Sequence, residues 1–375
     1  MLATNQPVPF FDWGSLYAEK SDRYARIMHE TAAAGGFILH DAVAQFEREL
    51  AAYIGVRHAI ALSDCSNAML LGLRASRLQP GDEVILPGHA FIAAAQAIHH
   101  AGGRAVPVDM CPDGRHVDPA AVRAAITPRT KGLMMVYVSG TVCDMDAIRA
   151  IADEHGLPIF EDAAQALGAR FGGTMAGLFG QWAAFSFYPS KTLGCFGDAG
   201  ALVTDDDEIA ARVRASRNHG AGPDKAISED CDIWGTNSRM DNLHAAILVE
   251  KLGWYDEAIA RRREIALQYH DSLSDLSGLQ LPPRPGEDPR RFDIFQNFDI
   301  CCERRDELKE HLATHGIGTI VHWGGIGLHR FRNLGLGGSL PNTDRFLDRA
   351  LLLPMNHVLR DDQVLRTITA VRSFF

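Results

Sequence analysis

The chain lacks a CxxC pair, a long uninterrupted apolar run, a GxGxxG fingerprint and a basic N-terminal start followed by an apolar stretch. Each absence excludes something. Its seven cysteines (Cys65, Cys111, Cys143, Cys195, Cys231, Cys301 and Cys302) are scattered and odd in number, so neither a disulfide framework nor a metal site is expected, only reduced thiols in packed positions. Without about 20 consecutive apolar residues, no membrane span is expected. The opening MLATNQPVPFFDW has neither region of a secretory signal, which points to a soluble, cytoplasmic protein. Basic residues are also in deficit: 37 Lys and Arg stand against 47 Asp and Glu, a formal net charge of −10. That balance argues against nucleic acid as a partner, while leaving room for a local pocket that takes one phosphate. The turn after the first apolar strand, Ser63-Asp64-Cys65-Ser66-Asn67-Ala68, is not glycine-rich, which excludes a nicotinamide-binding doubly wound sheet. There is no internal repeat or low-complexity tract.

What is present is a regular rhythm over 375 residues, enough for a large domain and a smaller one. From Val43 the spacing predicts alternating helices and short apolar strands: a helix over Val43–Ile54, a strand over His58–Leu62, a helix over Ser66–Ala75 and a strand over Val84–Leu86. Helices over Phe91–Ala101, Pro119–Ile126 and Met145–His155 then interleave with strands at Ala105–Asp109, Gly132–Val138 and Ile159–Phe160. Such alternation builds an α/β fold with a mostly parallel sheet between helices, whose ligands sit in the loops at the carboxyl ends of the strands. Trp182–Phe187 and Ala199–Thr204 read differently, as a hairpin arm that makes the sheet mixed, with Lys191 at its turn. Helices are expected over Asp206–Ser216 and, as one long element, Asp241–Tyr269. The division between a large domain (residues 1–255) and a small C-terminal α+β domain (256–375) is placed near 255. Pro282, Pro283, Pro285 and Pro289 suggest an exposed linker, followed by elements at Phe298–Cys302, Arg305–His315 and Asp361–Phe375.

The chemistry concentrates in three windows. Lys191, beside Ser190 on a turn bounded by strands and glycines, suits an amine that must be held rigidly and desolvated to act as a nucleophile. A surface lysine in a turn is the plain alternative. Asp162, closing a buried strand in Ile159-Phe160-Glu161-Asp162-Ala163-Ala164-Gln165, suits a carboxylate set against a protonated ring nitrogen, with Gln165 three residues on. It could equally cap the next helix. The Ser63–Ala68 turn offers backbone N–H groups, a helix dipole and the Ser66 hydroxyl to a phosphate, or merely an N-cap at Ser63 or Asp64.

Taken together, Gly36-Phe37-Ile38-Leu39, Gly81 to Pro87, Ile126 to Lys131, Glu161 to Gln165, Ser186 to Lys191, Asn237 to Asp241, His322-Trp323 and Leu353-Pro354-Met355 resemble the DegT/DnrJ/EryC1/StrS family of sugar aminotransferases. That family has the aspartate-aminotransferase-like fold (fold type I) of pyridoxal 5'-phosphate (PLP) enzymes, and the resemblance runs over nearly the whole chain. It implies that Lys191 forms a Schiff base with PLP and shuttles protons, that Asp162 holds the pyridinium and that Gln165 meets the phenolic oxygen. Cys65, Ser66 and Ser186 would bind the phosphate, Phe91 would stack on the ring, and Asn237 would reach the phosphate of the neighbouring subunit in a homodimer with shared sites. Tyr188, Arg239, His322 and His329 are candidates for substrate contact, with ordinary loop histidines as the plain alternative for the last two.

The implied reaction is ping-pong transfer of an amino group from glutamate or glutamine, through pyridoxamine 5'-phosphate (PMP), to a keto sugar. The sugar would be nucleotide-linked, with a 3-keto deoxysugar the nearest fit. A cyclitol or free sugar acid as acceptor, and a non-catalytic PLP-binding member, are the alternatives. A dehydratase relative would carry histidine where Lys191 stands. Two departures from the family pattern are Cys65 at a usual glycine, which bears on phosphate affinity if that backbone must approach the phosphate closely or take a positive φ, and His40 at another, which points to an unusual substrate.

Overall fold

The computed structural model describes residues 6–222, 231 and 233–375. Two helices not among those expected, α1 (Trp13–Ala18) and α2 (Ser21–Ala33), lead in; α1 buries no side chain, and α2 buries Tyr24 with Ile27 and Met28 partly buried against the core. Then come α3 (Asp41–Ile54), β1 (His58–Leu62), α4 (Cys65–Ala75), β2 (Glu83–Pro87), α5 (Ile92–His100), β3 (Arg104–Val108), α6 (Pro119–Ala124), β4 (Thr130–Val136), α7 (Met145–His155) and β5 (Ile159–Asp162). A short pair, β6 (Arg170–Phe171) and β7 (Thr174–Met175), precedes β8 (Trp182–Ser186), β9 (Gly200–Thr204) and α8 (Asp207–Arg217).

Seven strands form one sheet in the order β1-β9-β8-β5-β4-β2-β3. Neighbours run parallel except β9, which is antiparallel to both β8 and β1. The mixed, mostly parallel sheet and its hairpin arm are therefore as expected. Every residue of β2, β5 and β9 is buried, because helices cover both faces, and strands covered twice carry continuous rather than alternating apolar sequence. Side-chain alternation sends Ala183 and Phe185 of β8 to one core with Phe46 and Leu50, and Trp182 and Ala184 to the other with Met69, Leu73 and Leu202. There the Trp182 and Phe160 rings stack at 4.8 Å.

The single helix expected over Asp241–Tyr269 is two: α9 (Asn242–Leu252) and α10 (Tyr255–Leu273). Gly253 and Trp254 interrupt it, Trp254 leaving helical geometry at φ −129°. The remaining elements are β10 (Arg291–Phe292), β11 (Phe298–Cys301), α11 (Arg305–Thr314), α12 (Pro341–Arg349), β12 (Ala350–Leu353) and α13 (Asp361–Arg372). They enclose a third core of Ile265, Tyr269, Phe298, Ile300, Leu351 and Val364, which Val8 joins from the start of the chain. Val8 thus packs with the C-terminal residues rather than with the 1–255 segment in which its position places it. The proline-rich stretch is not a wholly exposed linker either, since Pro282 and Pro285 are buried. Among the described residues no helix is long and apolar enough to cross a membrane.

Polar contacts tie the C-terminal elements to the large sheet. The Asp109 carboxylate accepts from the Asn342 and Thr343 N–H groups at 3.1 and 2.9 Å and from Thr343 Oγ1 at 2.8 Å. Arg115 and Asp299 form a buried ion pair. Removing one partner strands the other in a low-dielectric interior. Asp299→Ala is expected to lower stability by about 3–5 kcal/mol in urea unfolding, and Arg115→Ala, Asp299→Ala together to cost less than the two singles summed.

Candidate active site

Tyr188-Pro189-Ser190-Lys191 is a β-turn: the Lys191 N–H donates to the Tyr188 carbonyl at 2.8 Å, and Pro189 supplies the fixed φ that such a turn wants at its second position. The loop beyond folds back over it. Cys195 N–H donates to the Phe187 carbonyl at 2.7 Å, and the fold-back is possible because residue 194 is glycine; a Cβ there would lie 2.4 Å from the Pro189 carbonyl oxygen. Lys251 Nζ donates to the Gly194 carbonyl at 2.7 Å and holds the far side.

The turn opens onto a cavity of about 530 Å³ at the carboxyl ends of the strands. Cys65, Ser66, Phe91, Asp162, Gln165, Ser186, Tyr188 and Lys191 all line it. Asp162 is buried, and its Oδ1 accepts one hydrogen bond, from the Ala164 N–H at 3.1 Å. Burial pushes its carboxyl above the usual range, against the pull of that N–H and of Lys191. Burial acts on Lys191 in the opposite sense, pushing the ammonium below the usual lysine range, with Cys65 and Asp162 opposing. The two groups are each short of the counter-charge or solvent that would favour ionisation.

α4 starts at this cavity, capped by Asp64, whose side chain accepts from the Asn67 N–H at 2.8 Å. Gly200 on β9 lets the turn lie against the lysine hairpin, since a Cβ there would sit 2.5 Å from the Cys65 nitrogen. Cys65 itself takes an ordinary negative φ, so replacing a glycine at this point costs no backbone strain. Burial pushes its thiol well above the usual value. Phe91 is half exposed, with its ring 5.8 Å from Trp323, and Trp323, Asp198 and Ser190 complete the wall without having been expected there.

Four expected residues lie elsewhere. Asn237 is exposed and pairs by backbone with Asn218, and Arg239 donates to Asn218 Oδ1 at 3.0 Å; neither lines the cavity of its own chain. His322 is buried behind the wall, its Nε2 3.4 Å from Gln165 Nε2, and burial, then His89 and Lys191, hold it well below its usual pKa and hence neutral. His329 is a correction: its Nε2 meets the Asp344 carboxylate of α12 at 2.9 Å, its ring is 3% exposed, and it does not line the cavity. His40 caps α3 and is exposed. Two residues with no sequence signal, Gln296 and Asn297, bond to the groups that flank or line the site.

A mixed sheet with a lysine hairpin facing a buried aspartate across a strand-end cavity defines a fold type I aminotransferase. The X-ray crystal structure of S. venezuelae DesV matches with a TM-score of 0.93 at 40% identity, covering 98% of both chains. That of Bacillus subtilis NtdA with bound cofactor PMP matches at 0.90 and 28% identity, covering 100% of this chain and 85% of that one. The chain belongs to the DegT/DnrJ/EryC1/StrS aminotransferase family, whose profile matches residues 19–372, and it is a PLP-dependent transaminase of that family. A dTDP-3-amino-3,4,6-trideoxy-alpha-D-glucose transaminase of Streptomyces venezuelae is 40% identical over 372 residues, 98% of this chain and 96% of the relative.

An ammonium held below its usual pKa destabilises the fold wherever the unfolded lysine is protonated and the folded one is driven to lose its proton. Lys191→Met, free of cofactor, is expected to unfold at a higher temperature than wild type at pH 7. The gap should narrow as pH rises toward the ordinary lysine range, because wild-type stability climbs through that window. Calorimetry of both proteins across pH 7–10 measures it.

Proposed function

We propose that the enzyme transfers an amino group from glutamate or glutamine to a nucleotide-linked 3-keto sugar, with PLP in the 530 Å³ cavity and PMP as its amine-bearing form. The observation that carries this reading is the shared cavity of Lys191 and Asp162, an amine and a carboxyl whose burial leaves each wanting what the cofactor offers. Bound PLP supplies an electron sink for the charge that develops on the carbon beside the transferred nitrogen.

The chain's own groups do the rest. Asp162, buried with a single Oδ1 hydrogen bond, fits a protonated ring nitrogen and keeps it protonated. Gln165, whose oxygen is already held by Ser139 and Asn297, would offer its amide N–H to the phenolic oxygen, and Phe91 would cover a ring face. The Ser66 and Ser186 hydroxyls and the first turn of α4, with Cys65 at its head, receive the phosphate. Lys191, with its ammonium disfavoured, is available as the neutral amine: it would hold the cofactor and, once displaced by the donor's amine, would take the proton from the donor's α-carbon and return a proton on the sugar's side. Tyr188 and Trp323 at the rim face the sugar. Asn237, exposed and off its own cavity, serves the site of a second subunit, and the 98% exposure of Trp234 three residues earlier fits a surface that a partner covers.

The 3-keto preference is supported by the 3-amino product named for the 40% identical relative. Absorbance of the protein with PLP, for wild type and Lys191→Ala, before and after L-glutamate, tests the first half. A visible band that glutamate discharges is expected in the wild type, and Lys191→Ala should show neither the band nor its discharge. Single-turnover assays of the aminated enzyme against a 3-keto nucleotide sugar, a keto-cyclitol and a free keto sugar acid, read by mass spectrometry, test the second. Turnover confined to a cyclitol or sugar acid replaces the acceptor class, and a band that no donor discharges means binding without catalysis.

A further inference from the structure

One dipeptide of the C-terminal elements reaches the lysine turn from behind. Gln296 Oε1 accepts from both the N–H and the Oγ1 of Thr192 at 2.8 Å, while its Nε2 donates to the Ser190 carbonyl at 2.8 Å. A single amide thereby grips the residues on either side of Lys191. Its neighbour Asn297 donates through Nδ2 to Gln165 Oε1 at 3.3 Å and to Ser139 Oγ at 3.4 Å, and that same Gln165 oxygen accepts the Ser139 N–H at 2.7 Å. Both side chains are more than nine-tenths buried, so water does not compete for these bonds.

The dipeptide is itself anchored. Arg262 of α10, buried and bonded to carbonyls, donates from Nη1 to the Phe295, Gln296 and Met355 oxygens, each at 3.1 Å. Phe295 is held at φ 51°, a left-handed conformation that a bulky residue keeps only when its surroundings impose it. A path of direct contacts therefore runs from α10, through the 295–297 backbone, to the lysine turn and to Gln165.

We propose that Gln296 and Asn297 are positioning residues for the transamination: Gln296 sets where the Lys191 amine stands, Asn297 sets Gln165, and one piece of backbone aligns the two. This rests on the function proposed above for Lys191. The decisive variants are Gln296→Ala, which loses all three bonds, and Gln296→Glu, which keeps an acceptor for Thr192 but sets a carboxylate against the Ser190 carbonyl.

With the PLP-loaded proteins, the discharge of the lysine-dependent band by saturating L-glutamate is followed in a single turnover, and the band is titrated with pH. Gln296→Ala is expected to slow the saturated rate about tenfold or more, as a misplaced amine would, with the half-saturating glutamate concentration little changed. The pH midpoint of the band should shift, and Gln296→Glu should fall between Ala and wild type in rate. Wild-type rates and midpoints in both variants overturn the proposal, and if Gln296→Ala does not fold, Gln296→Glu alone decides on the same readouts. Labelling of Lys191 by trinitrobenzenesulfonate in the cofactor-free proteins, read by peptide mass spectrometry, keeps the two ideas apart. Should wild type give no band that glutamate discharges, the function above fails, and the positioning claim then stands or falls on whether the Gln296 variants change the Lys191 labelling rate.

Discussion

Two consecutive acids at the end of β5 set the terms for the site. In a strand, neighbouring side chains leave on opposite faces, so Glu161 and Asp162 are driven to opposite sides of the same buried sheet. The Glu161 carboxylate is taken by the Gly177, Phe179 and Gly180 N–H groups at 2.7, 2.8 and 2.7 Å, which binds the loop before β8 to the end of β5. With that face tied down, Asp162 has no freedom but to point into the cavity, where one backbone N–H meets its Oδ1. Glu161 thus receives three backbone N–H groups and Asp162 one, while burial pushes both carboxyls above the usual range. That asymmetry in partners leaves Asp162 as the acid that faces the cavity.

The lysine is handled in the same way on the neighbouring strand pair. β8 and β9 bring Lys191 to the cavity on a turn that Pro189 shapes and Gly194 allows to close, and Lys251 and Gln296 hold that turn from outside. The hydrogen bonds therefore fix the loop backbone and its neighbours. The chemistry proposed for Lys191 needs an amine that is placed but not bonded, and fixing the residues on either side would achieve that without tying up the nitrogen itself.

The β-α rhythm is legible in the chain because strands covered on both faces leave unbroken apolar runs between amphipathic helices, as at Glu83–Pro87 and Gly200–Thr204. Lys191, Asp162 and Gln165 are legible because strand ends can be located in sequence and because the family resemblance falls on them, and the structure brings all three to one cavity. What escapes is whatever depends on contacts across the chain. α1 buries no side chain, and the break at Gly253–Trp254 hides within a continuous helical pattern. His329 sits in the stretch that carries His322 and Trp323, yet its ring turns to Asp344. Gln296 and Asn297 act on residues more than 100 positions away, through amides that no motif marks. Cys65 looked like a departure with a conformational cost, and the negative φ at the head of α4 removes that cost.

The site is built against the stability of the empty protein. An aspartate and a lysine placed in one desolvated cavity raise the energy of whichever charged form each would take in water, and neither is repaid by a dense set of bonds. A ligand that brings a ring cation to Asp162 and converts the Lys191 amine into a bonded nitrogen relieves both strains at once. Its binding free energy is then folding free energy too, since nothing in the unfolded chain offers the same pair. The surrounding structure has to be rigid enough to keep the two groups in place before the ligand arrives. The cross-links from the C-terminal elements, the buried Arg115–Asp299 pair and the Gln296 and Asn297 amides, provide that rigidity from the side of the molecule that the sheet does not reach. The C-terminal third of the chain is therefore part of what holds the lysine turn and Gln165 in place beside the cavity of the large sheet.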